Sequence, residues 1–257
     1  MQIQHIPTGY NATPDLLAGK TILVTGAGDG IGRAAALAYA EHGATVVLLG
    51  RTVEKLEAVY DEIEAAAYPQ AAIFPLDLNT ATDAACEGLR DALEKEFGVL
   101  DGLLHNASIL GERRPIESAT LASWQKVMQV NVNAQFLLTR YLLPLLQAAP
   151  SASIVMTTSG VGRTGRAFWG AYAVSKFATE GFMQVLADEL ENISNVRVNT
   201  LNPGATNTAM RRSAYPGESP TDNPSPQDIM PAYLYLMGNA SAAVTGKTFD
   251  AQQTAAP

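Results

Sequence analysis

The chain is expected to fold as one α/β domain built on a doubly wound parallel sheet of about seven strands, with helices on both faces. Three observations point there. Short β-branched apolar runs alternate with longer segments of helical period, as parallel strands joined by right-handed crossovers require. The strand candidates are apolar along their length, which marks burial on both faces. With 257 residues, 47% of them hydrophobic, the chain can bury a full core as a single domain.

Six strands are expected at Lys20–Gly26, Ala44–Gly50, Ala71–Asp77, Leu100–Asn106, Ala152–Ser159 and Asn195–Gly204, with Gly246–Gln252 as a seventh. Helical periodicity fills the intervals at Arg33–Gly43, Val53–Ala67, Ala81–Gly98, Leu121–Ala149 and Gly170–Glu191. The domain is thus placed at residues 20–250. Residues 1–19 and 251–257 lack such patterning and are expected to be an arm and a tail. Residues 207–226, rich in Pro, Ser, Asn and Asp, read as a mobile loop over the substrate.

A net charge of −8 and a pI near 4.9 weigh against nucleic acid or an anionic membrane as the main partner. The single cysteine, Cys86, can form no internal disulfide, and no apolar run reaches the roughly 18 residues of a membrane span. A cytoplasmic protein is expected. No cluster of side chains has metal-ligand spacing, so no metal is expected.

In a doubly wound sheet, ligands bind beyond the carboxyl ends of the strands. The first strand ends in "TGAGDGIGR", Thr25 to Arg33, where Gly26, Gly30 and Gly32 permit a tight turn and close approach to a pyrophosphate at a helix N-terminus. The strict G-x-G-x-x-G spacing fails, because Ile31 stands where the third glycine would be. Farther on, "WGAYAVSK" sets Tyr172 and Lys176 four residues apart, hence on one helix face. A cation there favours phenolate and lowers the tyrosine pKa from about 10. Alone, the pair reads more readily as a half-buried tyrosine and a snorkelling lysine.

Six features in order carry a resemblance: T-G-x-x-x-G-I-G, "NAS" after the fourth strand, Asn131 in "VNVN", Ser159 after the fifth strand, Tyr172-x-x-x-Lys176, and "NPG" after the sixth. Together they resemble the short-chain dehydrogenase/reductase family over about Lys20 to Asp250, which implies a Rossmann-type fold and a nicotinamide cofactor. The resemblance assigns Tyr172 as proton donor and acceptor and Lys176 as its pKa modulator and ribose ligand. It gives Ser159 the substrate oxygen and Asn131 a water that links Lys176 to solvent. It places Gly26, Asp29, Gly30, Ile31 and Gly32 at the cofactor phosphates. Asp77 and Leu78 fall at the adenine, Asn106 and Ala107 at the adenosine side, and Pro203, Gly204, Thr206 and Thr208 at the nicotinamide. Ser108 stands where the family usually has glycine. His105, His5, His42 and Cys86 read as structural or incidental. The family pairs its two long helices across subunits, so a dimer or tetramer is expected.

NAD-binding proteins of this fold carry an acid about 20 residues past the glycine loop, for the ribose hydroxyls. Here Gly50 occupies that place and Arg51 follows, with Arg33 available to assist, so NADP(H) is expected over NAD(H), against the objection of Asp29 in the loop. The expected reaction interconverts a small-molecule carbonyl and alcohol. The alternative is a cofactor-binding sensor without turnover, for which a complete Asn131, Ser159, Tyr172 and Lys176 set has no use. Six of eleven arginines fall in pairs after strand ends: Arg113 and Arg114, Arg163 and Arg166, Arg211 and Arg212. They read either as a rim that draws an anionic substrate past Phe168, Trp169 and Met210, or as solvated surface and loop braces.

Overall fold

The computed structural model describes residues 2–252. Its sheet is parallel throughout and has eight strands: β1 (Ile3–Gln4), β2 (Thr21–Thr25), β3 (Thr45–Gly50), β4 (Ala72–Pro75), β5 (Gly102–His105), β6 (Ala152–Thr157), β7 (Val196–Asn202) and β8 (Thr248–Asp250). The spatial order is β1-β8-β7-β6-β5-β2-β3-β4, so the chain winds outward from β2 one way and then returns to β5 to wind the other way. The reversal opens a crevice between the carboxyl ends of β2 and β5, where such folds hold ligands.

The helices are α1 (Gly30–Glu41), α2 (Val53–Ala65), α3 (Asp83–Phe97), α4 (Leu121–Met128), α5 (Ala134–Ala148), α6 (Gly170–Leu190), α7 (Ala209–Ala214) and α8 (Met230–Met237). Strand periodicity divides the core between the two faces of the sheet. Ile22, Val24, Val46 and Leu48 pack with Tyr39 of α1 and Tyr233 of α8, while Leu23, Val47 and Leu49 pack with Leu89 of α3, Leu142 of α5 and Met183 of α6. Each fully buried Leu or Ile side chain contributes about 1.5–3 kcal/mol relative to exposure.

Three expectations are corrected. The segment 1–19 is no loose arm: β1 adds the eighth strand beside β8, Leu17 is fully buried, and the Tyr10 ring stands edge-on to Tyr235 at 5.2 Å. These anchors are irregularly spaced, so no period announces them. Residues 207–226 are not irregular throughout. Thr208 caps α7 by accepting from the Arg211 N–H at 3.1 Å, and Ser219 and Asp222 form a reciprocal capping box on the 3₁₀ turn Pro220–Asp222. Finally, the helix expected over Leu121–Ala149 is interrupted at Gln129–Asn133 by a wide π turn, which joins α4 to α5. Most of the expected tail, 253–257, lies outside the described residues.

Candidate active site

A cleft of about 440 Å³ lies over the carboxyl ends of the central strands. Its floor is the turn from β2 into α1. Gly26 and Gly30 hold the left-handed conformation, at φ +69° and +54°, and a Cβ on Gly32 would stand 2.2 Å from the Gly26 carbonyl oxygen. A side chain at Gly32 would therefore wreck the turn. No side chain accepts a capping hydrogen bond at α1 among the described residues, so the backbone N–H groups of Ile31 and Gly32 in its first turn remain open to an anion. This cradle fits a dinucleotide pyrophosphate.

At the end of β3, Gly50, Arg51, Thr52 and Lys55 line the same cleft. Arg51 makes no ion pair among the described residues, whereas Lys55, in the first turn of α2, pairs with Asp29. That hydrogen bond holds the Asp29 carboxyl below the usual aspartate range and cancels its repulsion of a phosphate. Lys55 escaped the sequence reading, although its position four residues after Arg51 was a signal. Arg33 is a correction: it pairs with Glu62 on α2 and does not line the cleft.

Asp77 and Leu78, just past β4, form the opposite wall, and Asp77 Oδ1 accepts the Asn79 N–H at 2.9 Å. Between them and the floor, the Thr25 hydroxyl knits β2 to β5: it accepts from the N–H groups of Asn106 at 2.9 Å and Ala107 at 3.0 Å and donates to the Leu104 carbonyl at 3.2 Å. The Asn106 amide donates to the Thr25 carbonyl at 3.4 Å, and Asn106, Ala107 and Ser108 all face the cleft. After β7, Pro203, Gly204, Thr206 and Thr208 close the far end. Gln252 secures that turn by donating to the carbonyls of Pro203 and Ala205, each at 2.8 Å, a role no sequence signal indicated.

Ser159, at the end of β6, and Tyr172 of α6 line the cleft. Lys176 lies one turn beyond Tyr172, is 1% exposed, and places its ammonium 5.5 Å from the centre of the phenol ring. Burial pushes the Tyr172 phenol up to about 12, against a smaller lowering by the Ser159 hydroxyl. Burial also pulls Lys176 down to about 8, with the Glu180 carboxylate opposing it. In the free protein, loss of solvent therefore weighs more on the phenol than any nearby charge.

Asn131 sits fully buried in the π turn. Its Oδ1 accepts the Ile109 N–H at 2.9 Å, and its Nδ2 donates to the Ile109 carbonyl and the Ser175 hydroxyl, both at 3.0 Å. Ser175 in turn donates to the Tyr172 carbonyl at 2.7 Å. The Asn131 side chain thus braces the loop after β5 against α6. Ser175 completes that brace and was visible in the sequence only as the residue before Lys176.

His105, as expected, is a core residue, bonded through Nε2 to Thr139 Oγ1 at 2.9 Å and pushed down to about 3 by burial. Cys86 is buried and unpaired, no group of residues could hold a metal ion among the described residues, and none of their helices is long and apolar enough to cross a membrane. Of the arginine pairs, Arg163 turns inward: it donates to Glu180 at 3.1 Å, Asp250 at 2.6 Å and Thr248 at 2.5 Å, so it braces the fold and does not border the mouth.

A glycine cradle at the crevice, with serine, tyrosine and lysine gathered across from it, describes a nucleotide-dependent oxidoreductase site. Residues 20–219 match the short chain dehydrogenase family, and the chain belongs to it. It is 54% identical over 243 residues to the uncharacterized oxidoreductase YciK of Escherichia coli K12, covering 95% of this chain and 96% of that one. A short chain dehydrogenase structure from Pseudomonas syringae superposes with a TM-score of 0.93 at 58% identity, covering 95% of this chain and 98% of the other. Another, from Shigella flexneri, is complexed with NADP and matches with a TM-score of 0.91 at 54% identity, covering 94% of this chain and all of the other, 100%.

Proposed function

We propose that this chain is an NADP(H)-dependent oxidoreductase that interconverts a carbonyl and an alcohol, with Tyr172 as the acid and base. The observation that carries the reading is the placement of Ser159 and Tyr172 on one wall of a cleft whose floor is the Gly26–Gly32 cradle. The choice of NADP(H) rests on Arg51 and Lys55 at the end of β3, where no free carboxylate opposes a 2′-phosphate. The relative from Shigella flexneri, complexed with NADP, supports it.

When bound, the nicotinamide gives or takes the hydride, and its oxidised ring adds a positive charge beside the phenol. In reduction, Ser159 orients the carbonyl oxygen and Tyr172 donates its proton there as the carbon gains hydride. In the free protein burial keeps the phenol protonated at neutral pH, so the proton is in place, and positive charge brought to the site would lower its pKa toward the working range. The phenolate left behind lies beside the Lys176 ammonium, which stabilises it until a proton returns. Oxidation runs the same transfers backwards. Trp169 and Met210 line the cleft and exclude water from the reacting atoms.

Self-association is part of the reading. Phe136 of α5 and Val174, Phe177 and Val185 of α6 are exposed apolar side chains on the two helices that the family pairs between subunits. The decisive experiment follows nicotinamide absorbance across a panel of aldehydes, ketones and alcohols, beside a binding titration with NADPH. Turnover of at least one class supports the oxidoreductase. Tight NADPH binding without turnover over the whole panel supports a sensor instead.

A further inference from the structure

Three arginines from three different segments converge on a single ring, Tyr215: Arg211 and Tyr215 line the cleft, and Arg113 and Arg166 stand exposed beside them, just outside its lining. Arg113, after β5, places its guanidinium carbon 5.1 Å from the centre of Tyr215 and 4.6 Å from that of Trp169. Arg211, in α7, stands 3.8 Å from the Tyr215 ring, and Arg166, after β6, donates to the Tyr215 hydroxyl at 3.1 Å. One carboxylate answers them: Glu218 takes Arg211 in a two-point pair. Arg113 and Arg166 make no ion pair among the described residues. The group therefore carries two unanswered positive charges, in a protein whose net charge is −8.

The position gives this excess its meaning. Trp169 bridges the two ends of the site, with ring centres 5.7 Å from Tyr172 and 5.9 Å from Tyr215. Leu110, Val161, Met210 and Ala214 pack around these rings. A molecule with its carbonyl at Tyr172 that reaches out of the cleft past Trp169 and Tyr215 would meet the guanidinium groups of Arg113 and Arg166 beyond these rings. Cation–π contacts orient Arg113, Arg166 is held by one N–H on the Tyr215 hydroxyl, and the remaining N–H donors of both can bind an oxyanion through paired hydrogen bonds.

We infer that the substrate is a carbonyl compound, or the matching alcohol, that carries an oxyanion such as carboxylate or phosphate at its far end, held by Arg113 and Arg166. The inference rests on the oxidoreductase reading for the position of the reacting carbon. Arg114 is set apart from it by its pairing with Glu112, and Arg212 by its bond to Asn207.

The test compares 4-carboxybenzaldehyde with its methyl ester, which differs in charge and hardly in shape, using NADPH at low and high salt. The acid should exceed the ester in kcat/KM by on the order of tenfold at low salt. The advantage should shrink as the Debye length falls from about 10 Å at 0.1 M toward about 3 Å at 1 M salt. The ratio should also drop in the double variant Arg113→Gln, Arg166→Gln. An ester that equals or surpasses the acid at low salt overturns the inference and leaves the oxidoreductase reading intact. Binding is read separately by titrating terephthalate into the NADP(H)-loaded protein. The chain has two tryptophans, so Trp124→Phe isolates the Trp169 fluorescence. A saturable, salt-sensitive quench that the double variant weakens supports the inference even if neither aldehyde is turned over, a result that would count against the oxidoreductase alone. No quench at low salt overturns it.

Discussion

The Lys176 ammonium donates to the Thr157 carbonyl at 2.8 Å, so its main partner is the end of β6 and not the phenol one helical turn away. Burial leaves the lysine at about 8 against an ordinary value of 10.5, with the Glu180 carboxylate opposing that fall. The folded state therefore binds fewer protons than the unfolded state between these two values, and stability rises with pH through that window. Below it, the buried ammonium is a standing cost of roughly 3 kcal/mol. Lys176→Met should abolish turnover yet melt no lower than wild type at pH 7, and any advantage should fade toward pH 10. Thermal melts of both proteins from pH 6 to pH 10 check this; a variant that melts well below wild type at pH 7 would show the Thr157 bond to outweigh the desolvation.

Tyr172→Phe removes one hydroxyl from a ring that also packs against Trp169. The packing persists, so the melting temperature and NADPH affinity should stay close to wild type while kcat falls by about 10²–10⁴-fold, the span typical of general acid–base catalysis. Activity near wild type on a verified substrate would remove Tyr172 from the proton-transfer role.

Cofactor choice should respond to Arg51 and Lys55 differently. A charge-assisted hydrogen bond contributes about 1.5–3 kcal/mol, so Arg51→Ala should weaken NADPH by roughly ten- to hundredfold and NADH little. Lys55→Ala also frees the Asp29 carboxylate, so it should penalise NADPH further at low salt. Equal losses for both nucleotides in isothermal titration would place the 2′-phosphate elsewhere.

The exposed Phe136, Phe177 and Val185 predict a dimer or tetramer at micromolar concentration. Light scattering should show it, and Phe136→Asp with Val185→Asp should drive it toward monomer. A monomeric wild-type protein would leave these residues as solvent-facing surface.

The parts of the fold that were legible share one property: the information is local. The apolar runs of β2, β3, β5 and β6 and the motif from Thr25 to Arg33 declare themselves within a few residues, because a strand buried on both faces carries few polar positions and a tight turn needs glycine. What stayed hidden depends on contacts across the chain. α8, apolar on every side, has no stripe to reveal its period, and all of its residues but Pro231 are buried. The π turn at Asn131 lies within a continuous helical pattern, and the Lys55–Asp29 and Gln252–Pro203 contacts join positions far apart in sequence. In the candidate site, the residue types facing the cleft could be read from motifs, whereas the burial that sets the acidity of Tyr172 and Lys176 could not.

Arg163 and Arg166 show the same limit most sharply, since only two residues separate two opposite fates. Arg163 is partly buried among charged partners: its guanidinium spans Glu180 of α6 and Asp250 of β8, with side-chain exposures of 14%, 4% and 15% in that order. Glu180 also accepts from Thr200 of β7 at 2.8 Å, so one carboxylate ties α6 to two strands and keeps a negative charge near Lys176. Removing one partner of such a network strands the others in a poorly solvated place, and breaking a buried pair costs about 3–5 kcal/mol. Arg163→Met should therefore destabilise the protein by about 3 kcal/mol in urea unfolding. Arg166 is exposed and hydrogen-bonded only through the Tyr215 hydroxyl, so Arg166→Gln should change stability by less than about 0.5 kcal/mol. The contrast is the test: comparable unfolding midpoints for the two variants would mean that the Arg163 network is loose enough to relax around the loss, and that burial does not separate these arginines.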